Sequence, residues 1–150
     1  MPEQETLERA REDERKGKSP STQAGEFVRE EMEHVRQGKH GARSPQQAIA
    51  IGLSKARRAG VKLPPPEKGS VPEETRRKAV RDYEKAWSGG NSNPSPKRAR
   101  ATNRALKRET GTAVSKEALS KQATAAARRR SHAARSRAGR KAAQTRARNR

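Results

Sequence analysis

The sequence contains no cysteine and almost no aromatic side chains. The lack of cysteine excludes disulfides, thiolate zinc sites and cysteine nucleophiles. Aromatic residues make up 2% of the 150 residues, one each of Phe, Tyr and Trp, and hydrophobic residues of all kinds make up 28%. Because so little apolar surface is available for burial, the chain can build one modest domain but not a large core, and we expect helices with weak tertiary packing.

Long apolar runs are also missing. No stretch approaches the ~18 apolar residues that a membrane span needs. The first residues, Met-Pro-Glu-Gln-Glu, have neither the positive start nor the apolar run of a signal peptide. We therefore expect a soluble, cytoplasmic protein.

Charge is abundant and unevenly distributed along the chain. Charged residues make up 36% of the sequence, and the net charge is +20. Residues 1–37 carry a net charge of −3, residues 38–70 carry +6, residues 71–93 carry +1, and residues 94–150 carry +16. This distribution is typical of a polyanion-binding arm attached to a more balanced front half.

The front half begins with a segment of low apolar content and continues into a first amphipathic helix. Residues 1–21 alternate Glu and Arg with little that is apolar beyond Leu7, which predicts a disordered or frayed lead-in. From a cap at Thr22, apolar residues recur at helical spacing as far as Gly38, a residue suited to the left-handed turn that ends a helix. That stripe consists of Phe27, Val28, Met32 and Val35.

A second helix has the clearest signals in the sequence. Ser44 is placed to cap it, Pro45 occupies its first position, Gln47 completes a capping box, and Gly60 ends it, which predicts a helix from about 45 to 59. The short loop between the two stripes predicts an antiparallel helical hairpin over 22–66. Its extended exit contains three consecutive prolines, and we expect Val61 and Leu63 to fold back onto the hairpin.

An accessory helix and a linker follow the hairpin. Ser70 and Glu73 predict a capping box around Pro72, opening an accessory helix over 70–88 whose anchors are Tyr83 and Trp87. Residues 89–96 are rich in Ser, Asn and Pro, which indicates a linker.

The remaining residues, 97–150, form the basic arm. Their alanine, lysine and arginine content favours helices, one from Pro96 to Glu109 and another from a cap at Ser115 to about Arg137. The only larger aliphatic residues are Leu106, Val114 and Leu119, so we expect no core for these helices to dock on. The predicted fold is therefore mostly α: a helical hairpin and an accessory helix, with a long, partly disordered helical arm that folds fully on a polyanion.

The arm carries the residues that we predict to bind nucleic acid. Each Lys or Arg that neutralises a phosphate releases a condensed counterion, which gives strong, salt-dependent binding without base recognition. An anionic membrane is a less suitable target, because no apolar face accompanies the charge. The predicted nucleic-acid-binding residues are Lys97, Arg98, Arg100, Arg104, Lys107, Arg108, Arg128, Arg129, Arg130, Arg135, Arg137, Arg140, Lys141, Arg146, Arg148 and Arg150.

A second basic patch is a weaker possibility in the hairpin. Lys39 and Arg43 precede the second helix, whose free backbone amides could hold a phosphate together with Lys55, Arg57 and Arg58. An ordinary polar loop and a solvated helix face explain the same residues, and we favour that reading. Base readout by a helix-turn-helix has little support, because the Gln residues of the second helix lie near its cap.

Catalytic, metal and cofactor sites are not predicted. No pair among His34, His40 and His132 has the spacing of a metal site. Glu30, Glu31 and Glu33 are expected on a helix surface, paired with Arg29 and Arg36 or with the arm. Since no nucleophile and base, glycine-rich phosphate loop or carboxylate pair is evident, we predict a non-enzymatic protein without a cofactor.

The run Lys-His-Gly-Ala-Arg-Ser-Pro-Gln-Gln-Ala-Ile-Ala-Ile-Gly-Leu-Ser-Lys-Ala-Arg-Arg-Ala-Gly at 39–60 lies within a longer stretch, 25–66. That stretch resembles a bacterial family of small basic proteins of unknown function, often loosely labelled DNA-binding or plasmid-stabilisation proteins. Residues 98–130 are similar to the segment that follows in longer members. The resemblance implies a bacterial origin and a nucleoid or plasmid context, and it implies no role for particular residues.

Sequence-independent, histone-like DNA binding is the function that these features favour, and two other classes stay open. The apolar stripe of the hairpin could instead bind a protein partner or a second copy, through Phe27, Val28, Met32, Val35, Ile49 and Leu53. The phosphate argument does not separate DNA from RNA, so an RNA- or ribosome-associated protein is the other alternative. The scarcity of aromatic residues argues against stacking on single strands.

Overall fold

The computed structural model describes residues 1–88 and 95–148, and all regular structure in those ranges is helical. The predicted mostly-α fold class is confirmed. The chain divides into two compact units, Met1–Val114 and Ser115–Arg150. Most of the predicted linker, residues 89–94, lies outside the described residues. The helices are α1 (Gln4–Arg15), α2 (Pro20–Arg36), α3 (Pro45–Arg58), α4 (Glu73–Trp87), α5 (Pro96–Leu106), a 3-10 helix (Gly111–Val114), α6 (Lys116–Arg129) and α7 (His132–Arg148).

Helix α1 replaces the disordered or frayed lead-in that the sequence predicted. One face of α1 is buried through the small or polar side chains of Thr6, Ala10 and Asp13. Arg9 ties that helix to α2 by donating from Nε to a carboxylate oxygen of Glu26 at 2.7 Å. The prediction was wrong here because it required an apolar stripe, whereas α1 packs with small side chains and ion pairs.

Helices α2 and α3 form the predicted hairpin, with one change at its start. Helix α2 begins before the predicted cap at Thr22, because Ser19 accepts a hydrogen bond from the Thr22 amide and Pro20 occupies the first turn. It ends at Arg36, and Gly38 in the turn that follows has the expected left-handed conformation at φ 69°. The Ser44 cap of α3 is confirmed, since its side chain accepts from the Gln47 amide at 3.2 Å.

The hairpin core lies where α2 crosses α3. A Cβ atom at Gly52 would lie 2.6 Å from the Val28 Cα atom, so the two backbones approach closely only because this residue has no side chain. Phe27 is fully buried at the crossing. The prediction that the proline-rich exit folds back is confirmed, because Val61 belongs to the buried cluster and Leu63 packs against it. The buried cluster consists of Ala10, Ala24, Phe27, Ala56 and Val61.

Helix α4 packs on α3 without the predicted capping box. No side chain caps its first turn, and the Ser70 hydroxyl instead donates to the Glu67 carbonyl at 2.7 Å. Contact with α3 includes a hydrogen bond from Ser54 to Asp82 and the buried Ala79. Trp87 is half exposed, and the Lys62 amine lies 5.2 Å from its ring centroid.

The sequence placed the start of the arm at residue 97, but the first unit continues to Val114. The Gly41 amide donates to the Leu106 carbonyl at 2.9 Å, and the Ala42 amide donates to the Thr110 carbonyl at 3.1 Å. Leu106 and Val114 are both buried. The expectation that this part of the arm has no core to dock on was therefore wrong: two isolated aliphatic residues suffice to dock it on the loop between α2 and α3.

The second unit consists of α6 and α7. The predicted cap at Ser115 is confirmed, since its side chain accepts from the Ala118 amide at 3.2 Å. The helix ends at Arg129 rather than near Arg137, and α7 begins after Ser131, which accepts from the Ala134 amide at 3.2 Å. None of the residues 115–148 is buried.

Among the described residues, no helix is both long enough and apolar enough to cross a membrane.

Candidate nucleic-acid interface

The structure exposes the predicted nucleic-acid-binding residues throughout the described part of the arm. Arg150 lies outside the described residues, and the other fifteen are all exposed. Those of α5 and the turn after it belong to the first unit, and those from Arg128 onward belong to the second. The exposed set is Lys97, Arg98, Arg100, Arg104, Lys107, Arg108, Arg128, Arg129, Arg130, Arg135, Arg137, Arg140, Lys141, Arg146 and Arg148.

One side of α7 gathers four of these cations. Arg137, Arg140, Lys141 and Arg148 line a shallow groove along the helix together with Gln144 and Thr145. Positions 137, 140, 141, 144 and 148 follow the three-and-four-residue spacing that places side chains on one face of a helix. This face therefore offers hydrogen-bond donors and positive charge along its whole length.

Helix α6 has a similar but shorter face. Lys121, Arg128 and Arg129 line a second groove together with Ser120 and Thr124. The intervening Ala125 is small, so the longer basic side chains project beyond it. The carboxyl-terminal position of the two arginines also suits the helix dipole, which is negative there.

Basic residues far outnumber acidic residues in the second unit. Residues 115–150 contain twelve Lys and Arg residues and a single acidic residue, Glu117. Within 115–148, no Lys or Arg side chain is in an ion pair with a described residue. Like charges held this close on a helix repel one another, which favours binding of a polyanion.

The possible second patch is largely occupied by contacts within the first unit. The Lys55 amine lies 3.0 Å from a Glu30 oxygen and 2.8 Å from a Glu31 oxygen, with 16% of its side chain exposed. Arg57 is buried, and its guanidinium donates to the carbonyls of Leu63 and Pro64 at 3.2 Å. These two residues hold the fold together and are not presented to a ligand.

The remaining members of that patch are more accessible. Lys39 pairs with Glu3 at 2.8 Å, and Arg43, which is 78% exposed, lies 3.4 Å from Glu109. Arg58 donates from Nε to the Ser54 carbonyl at 3.2 Å. The loop before α3 therefore contributes at most two partly paired cations, in keeping with the ordinary polar loop that we favoured. The solvated helix face that we expected beside it was wrong for Lys55 and Arg57, which pack inside the first unit.

Two of the three glutamates expected on the surface of α2 are instead buried. Glu30 and Glu31 are 3% and 0% exposed, whereas Glu33 is exposed as predicted. The prediction for Glu30 and Glu31 was wrong because α2 packs against α1 on one side and α3 on the other, so its buried surface is wider than its apolar stripe. Lys55 enters from α3 and supplies the charge that makes this burial possible.

The pKa values of Glu30, Lys55 and the nearby Glu3 are shifted by their surroundings. Burial by itself would raise the pKa of Glu30, but hydrogen bonds from the Glu3 amide, Lys55 and Thr6 outweigh burial and lower it. Burial likewise opposes the charged form of Lys55, yet the pKa of Lys55 is raised because Glu31 and Glu30 stabilise the ammonium. Nearby, hydrogen bonds from Lys39 and His34 lower the pKa of Glu3 to about 2.

The apolar stripe of the hairpin is only partly accessible. Phe27, Met32 and Val35 are buried in the first unit, while Val28, Ile49 and Leu53 are partly exposed. A protein partner that used the stripe would therefore reach only the last three of these residues.

Comparison with known proteins places a family match on the hairpin. Residues 15–68 match the model of a family of unknown function (DUF6496), which confirms the resemblance to such a family for this part of the chain. The matched range contains α2 and α3 and ends before α4. No curated protein and no solved structure matches the chain. Residues 15–68 are thus similar to a family whose description assigns no function.

Proposed function

We propose that this protein is a non-enzymatic, nucleic-acid-binding protein that contacts duplex DNA through the basic helices of its second unit. The observation that carries the proposal is the state of the cations there: every described Lys and Arg in 115–148 is exposed, and none is in an ion pair with another described residue. A solvated tail that merely aids solubility needs a much smaller net charge, on the order of 2–8 for a small domain.

The basic face of α7 has dimensions suited to a phosphate backbone. From Arg137 to Arg148 it extends about 17 Å along the helix axis at ~1.5 Å per residue. Phosphates on one strand of duplex DNA are separated by ~3.4 Å along the axis, so several lie within reach of four cations. Gln144 adds neutral donors between the charges, while the Thr145 hydroxyl donates to the Lys141 carbonyl at 3.0 Å.

Recognition of this kind depends on charge and backbone contacts. Phosphate contacts fix position but carry no sequence information, whereas base readout needs side chains that match base edges in a groove. The face of α7 consists of three arginines and one lysine with Gln144 and Thr145 among them, and it lacks a fixed set of side chains matched to base edges. We therefore propose largely sequence-independent binding, with a histone-like, nucleoid- or plasmid-associated role in the bacterial cytoplasm.

The test is a salt-titrated binding series with the full chain. Two duplexes of unrelated sequence, one structured RNA and vesicles of anionic lipid are compared between 50 and 200 mM salt, concentrations at which about six phosphate contacts would change affinity ~10³-fold. We expect equal affinities for both duplexes and a steep loss of affinity as the salt concentration rises. Equal or tighter binding to vesicles would overturn the proposal. A clear preference for the RNA would mean that the natural ligand is RNA rather than DNA.

A further inference from the structure

Three side chains that the nucleic-acid proposal does not use converge in the first unit. One ligand atom from each of Glu31, His34 and His40 lies within 4.8 Å of the other two. Their side chains are nearly enclosed, with 1% of Glu31, 13% of His34 and 11% of His40 exposed. The two imidazole rings meet edge to face, with centroids 6.0 Å apart.

The end of α2 and the turn that follows it bring these three side chains together. Glu31 and His34 are three positions apart in the sequence, so they lie on one face of α2 in its last two turns. Gly38 then reverses the chain with φ 69°, and the Lys39 amide donates to the His34 carbonyl at 2.9 Å. This tight turn brings His40 back beside the helix.

The hydrogen bonding of His40 indicates that a cation belongs between its ring and Glu31. Nδ1 lies 3.0 Å from the Gly41 carbonyl oxygen, which can only accept, so Nδ1 carries the proton. Nε2 lies 3.0 Å from Glu31 Oε1. In a neutral ring the Nε2 lone pair would face the lone pairs of a carboxylate, an arrangement that is repulsive unless a proton or a metal ion lies between them.

The net charge of the surrounding side chains also favours an additional cation. Lys55 is bound to the other oxygen of Glu31, Oε2, which leaves Oε1 to His40. His34 Nε2 lies 2.8 Å from Oε1 of Glu3, whose side chain is half exposed. Three carboxylates, those of Glu3, Glu30 and Glu31, therefore face the two amines of Lys39 and Lys55, and with neutral imidazoles the group has a net charge of −1.

We propose that Glu31, His34 and His40 bind a divalent transition metal ion, with Zn²⁺ the best fit to two imidazoles and a carboxylate. Tetrahedral ligands at 2.0–2.1 Å from zinc are about 3.3 Å apart, so the ligand atoms, which lie within 4.8 Å of one another, must approach by up to about 1.5 Å when the metal binds. The half-exposed carboxylate of Glu3 or a water molecule completes the coordination. The hydrogen bond from His40 Nδ1 to Gly41 is the outer contact that orients a metal-binding imidazole.

This site has a structural consequence that is separate from nucleic-acid binding. The metal would fasten the end of α2 to the loop that leads into α3, and it would stabilise the first unit in proportion to its occupancy. The sequence predicted no metal site, because no histidine pair has the usual spacing and no acidic residue was recognised as a partner of the histidines. The signal that could have found it is the Glu31-x-x-His34 pair followed by a glycine turn and His40.

The test uses the full, metal-free chain and its third histidine as a control. His132 is exposed on the second unit, so His132→Gln leaves His34 and His40 as the only histidines. We expect the wild type and His132→Gln to bind one Zn²⁺ equally in calorimetry, and His34→Gln and His40→Gln to bind at least tenfold more weakly. Equal binding by all four proteins, or no stoichiometric uptake by the wild type, would overturn the proposal.

A second measurement does not depend on the folding of the histidine variants. X-ray absorption on Zn²⁺-loaded His132→Gln counts the imidazoles bound to the metal in a protein whose first unit is unaltered. Two imidazole ligands are expected. One or none would show that the ion is held elsewhere on the chain, and the position between His40 and Glu31 would then belong to a proton.

Discussion

The carbonyl oxygen of Glu109 lies where a side chain on Gly41 would begin. A Cβ atom built at Gly41 would be 2.0 Å from that oxygen and 2.7 Å from the Thr110 carbonyl oxygen. The amide of Gly41 also donates to the Leu106 carbonyl, so this residue is in contact with the docked segment on two sides. Glycine is required at this position because another backbone segment approaches it closely. Its backbone conformation is not the reason, because its φ is not in the left-handed region.

Gly41→Ala should therefore destabilise the first unit. We expect a loss of about 1–3 kcal/mol from overpacking, because the obstacle is backbone that cannot rotate away. Thermal unfolding measures the loss, and faster tryptic cleavage at Lys107 and Arg108 would show that residues 106–114 have been released.

The matched control for that substitution is Gly25→Ala. Gly25 lies in α2 with open space around its Cα atom and no positive φ. Replacing it should stabilise the protein by about 0.5–1 kcal/mol through helix propensity. If both variants unfold at the wild-type temperature, the docking of residues 106–114 on the hairpin is not as described.

Phe27 is the largest apolar side chain in the core, and the small unit depends on it. Phe27→Ala should cost about 3–5 kcal/mol, because a fully buried ring is removed where little else can fill the cavity. The control is Trp87→Ala, which removes a larger but half-exposed ring and should cost far less. Denaturant unfolding of the two variants gives the comparison, and a larger loss for Trp87→Ala would contradict this assignment of the core.

Lys55 is predicted to be structural rather than a contact for nucleic acid. Lys55→Met keeps most of the side-chain volume but leaves Glu30 and Glu31 buried without their cation, which should cost about 3 kcal/mol. Lys121→Met changes the same charge on exposed α6 and should leave stability unchanged. Urea unfolding separates the two, and equal stability of both variants would show that Lys55 does not bridge the buried carboxylates.

Helices α6 and α7 bury none of their described residues, so their stability depends on helix propensity and on charge. Because neutralising closely spaced cations removes repulsion along each helix, we expect the far-ultraviolet dichroism at 222 nm to become more negative when duplex DNA is added at low salt. High salt should reverse the change. A constant signal during saturable binding would mean that the arm does not gain helix on its partner.

The sequence was sufficient to locate the elements whose ends have strong local signals. Ser44 with Pro45, Ser115, Gly38 and Gly60 each act within a few residues, so α3, the end of α2 and the start of α6 follow from the sequence. At the start of α4 the same reasoning failed, because Ser70 hydrogen-bonds within its own turn and does not reach the helix.

Features that depend on contacts between residues far apart in the sequence could not be predicted from such local signals. Burial of Glu31 requires Lys55, which is 24 positions away, and docking of Leu106 requires the close approach of Gly41 to Glu109. Neither pairing has a periodic signal in the sequence. Residues 115–148, by contrast, have few apolar side chains that could bury their neighbours, and all of their Lys and Arg side chains are exposed.

The most direct test of the central claim compares two full-length variants with the same net charge. One replaces six arginines of the second unit with glutamine: Arg128, Arg129, Arg130, Arg137, Arg140 and Arg148. The other replaces six exposed arginines of the first unit: Arg11, Arg15, Arg29, Arg36, Arg77 and Arg81. Both are titrated with the same duplex over a range of salt concentrations. If the second unit makes the phosphate contacts, its variant loses most of the slope of log Kd against log salt, by roughly 0.9 for each contact removed, while the first-unit variant keeps the wild-type slope. Equal slopes for the two variants would contradict the account.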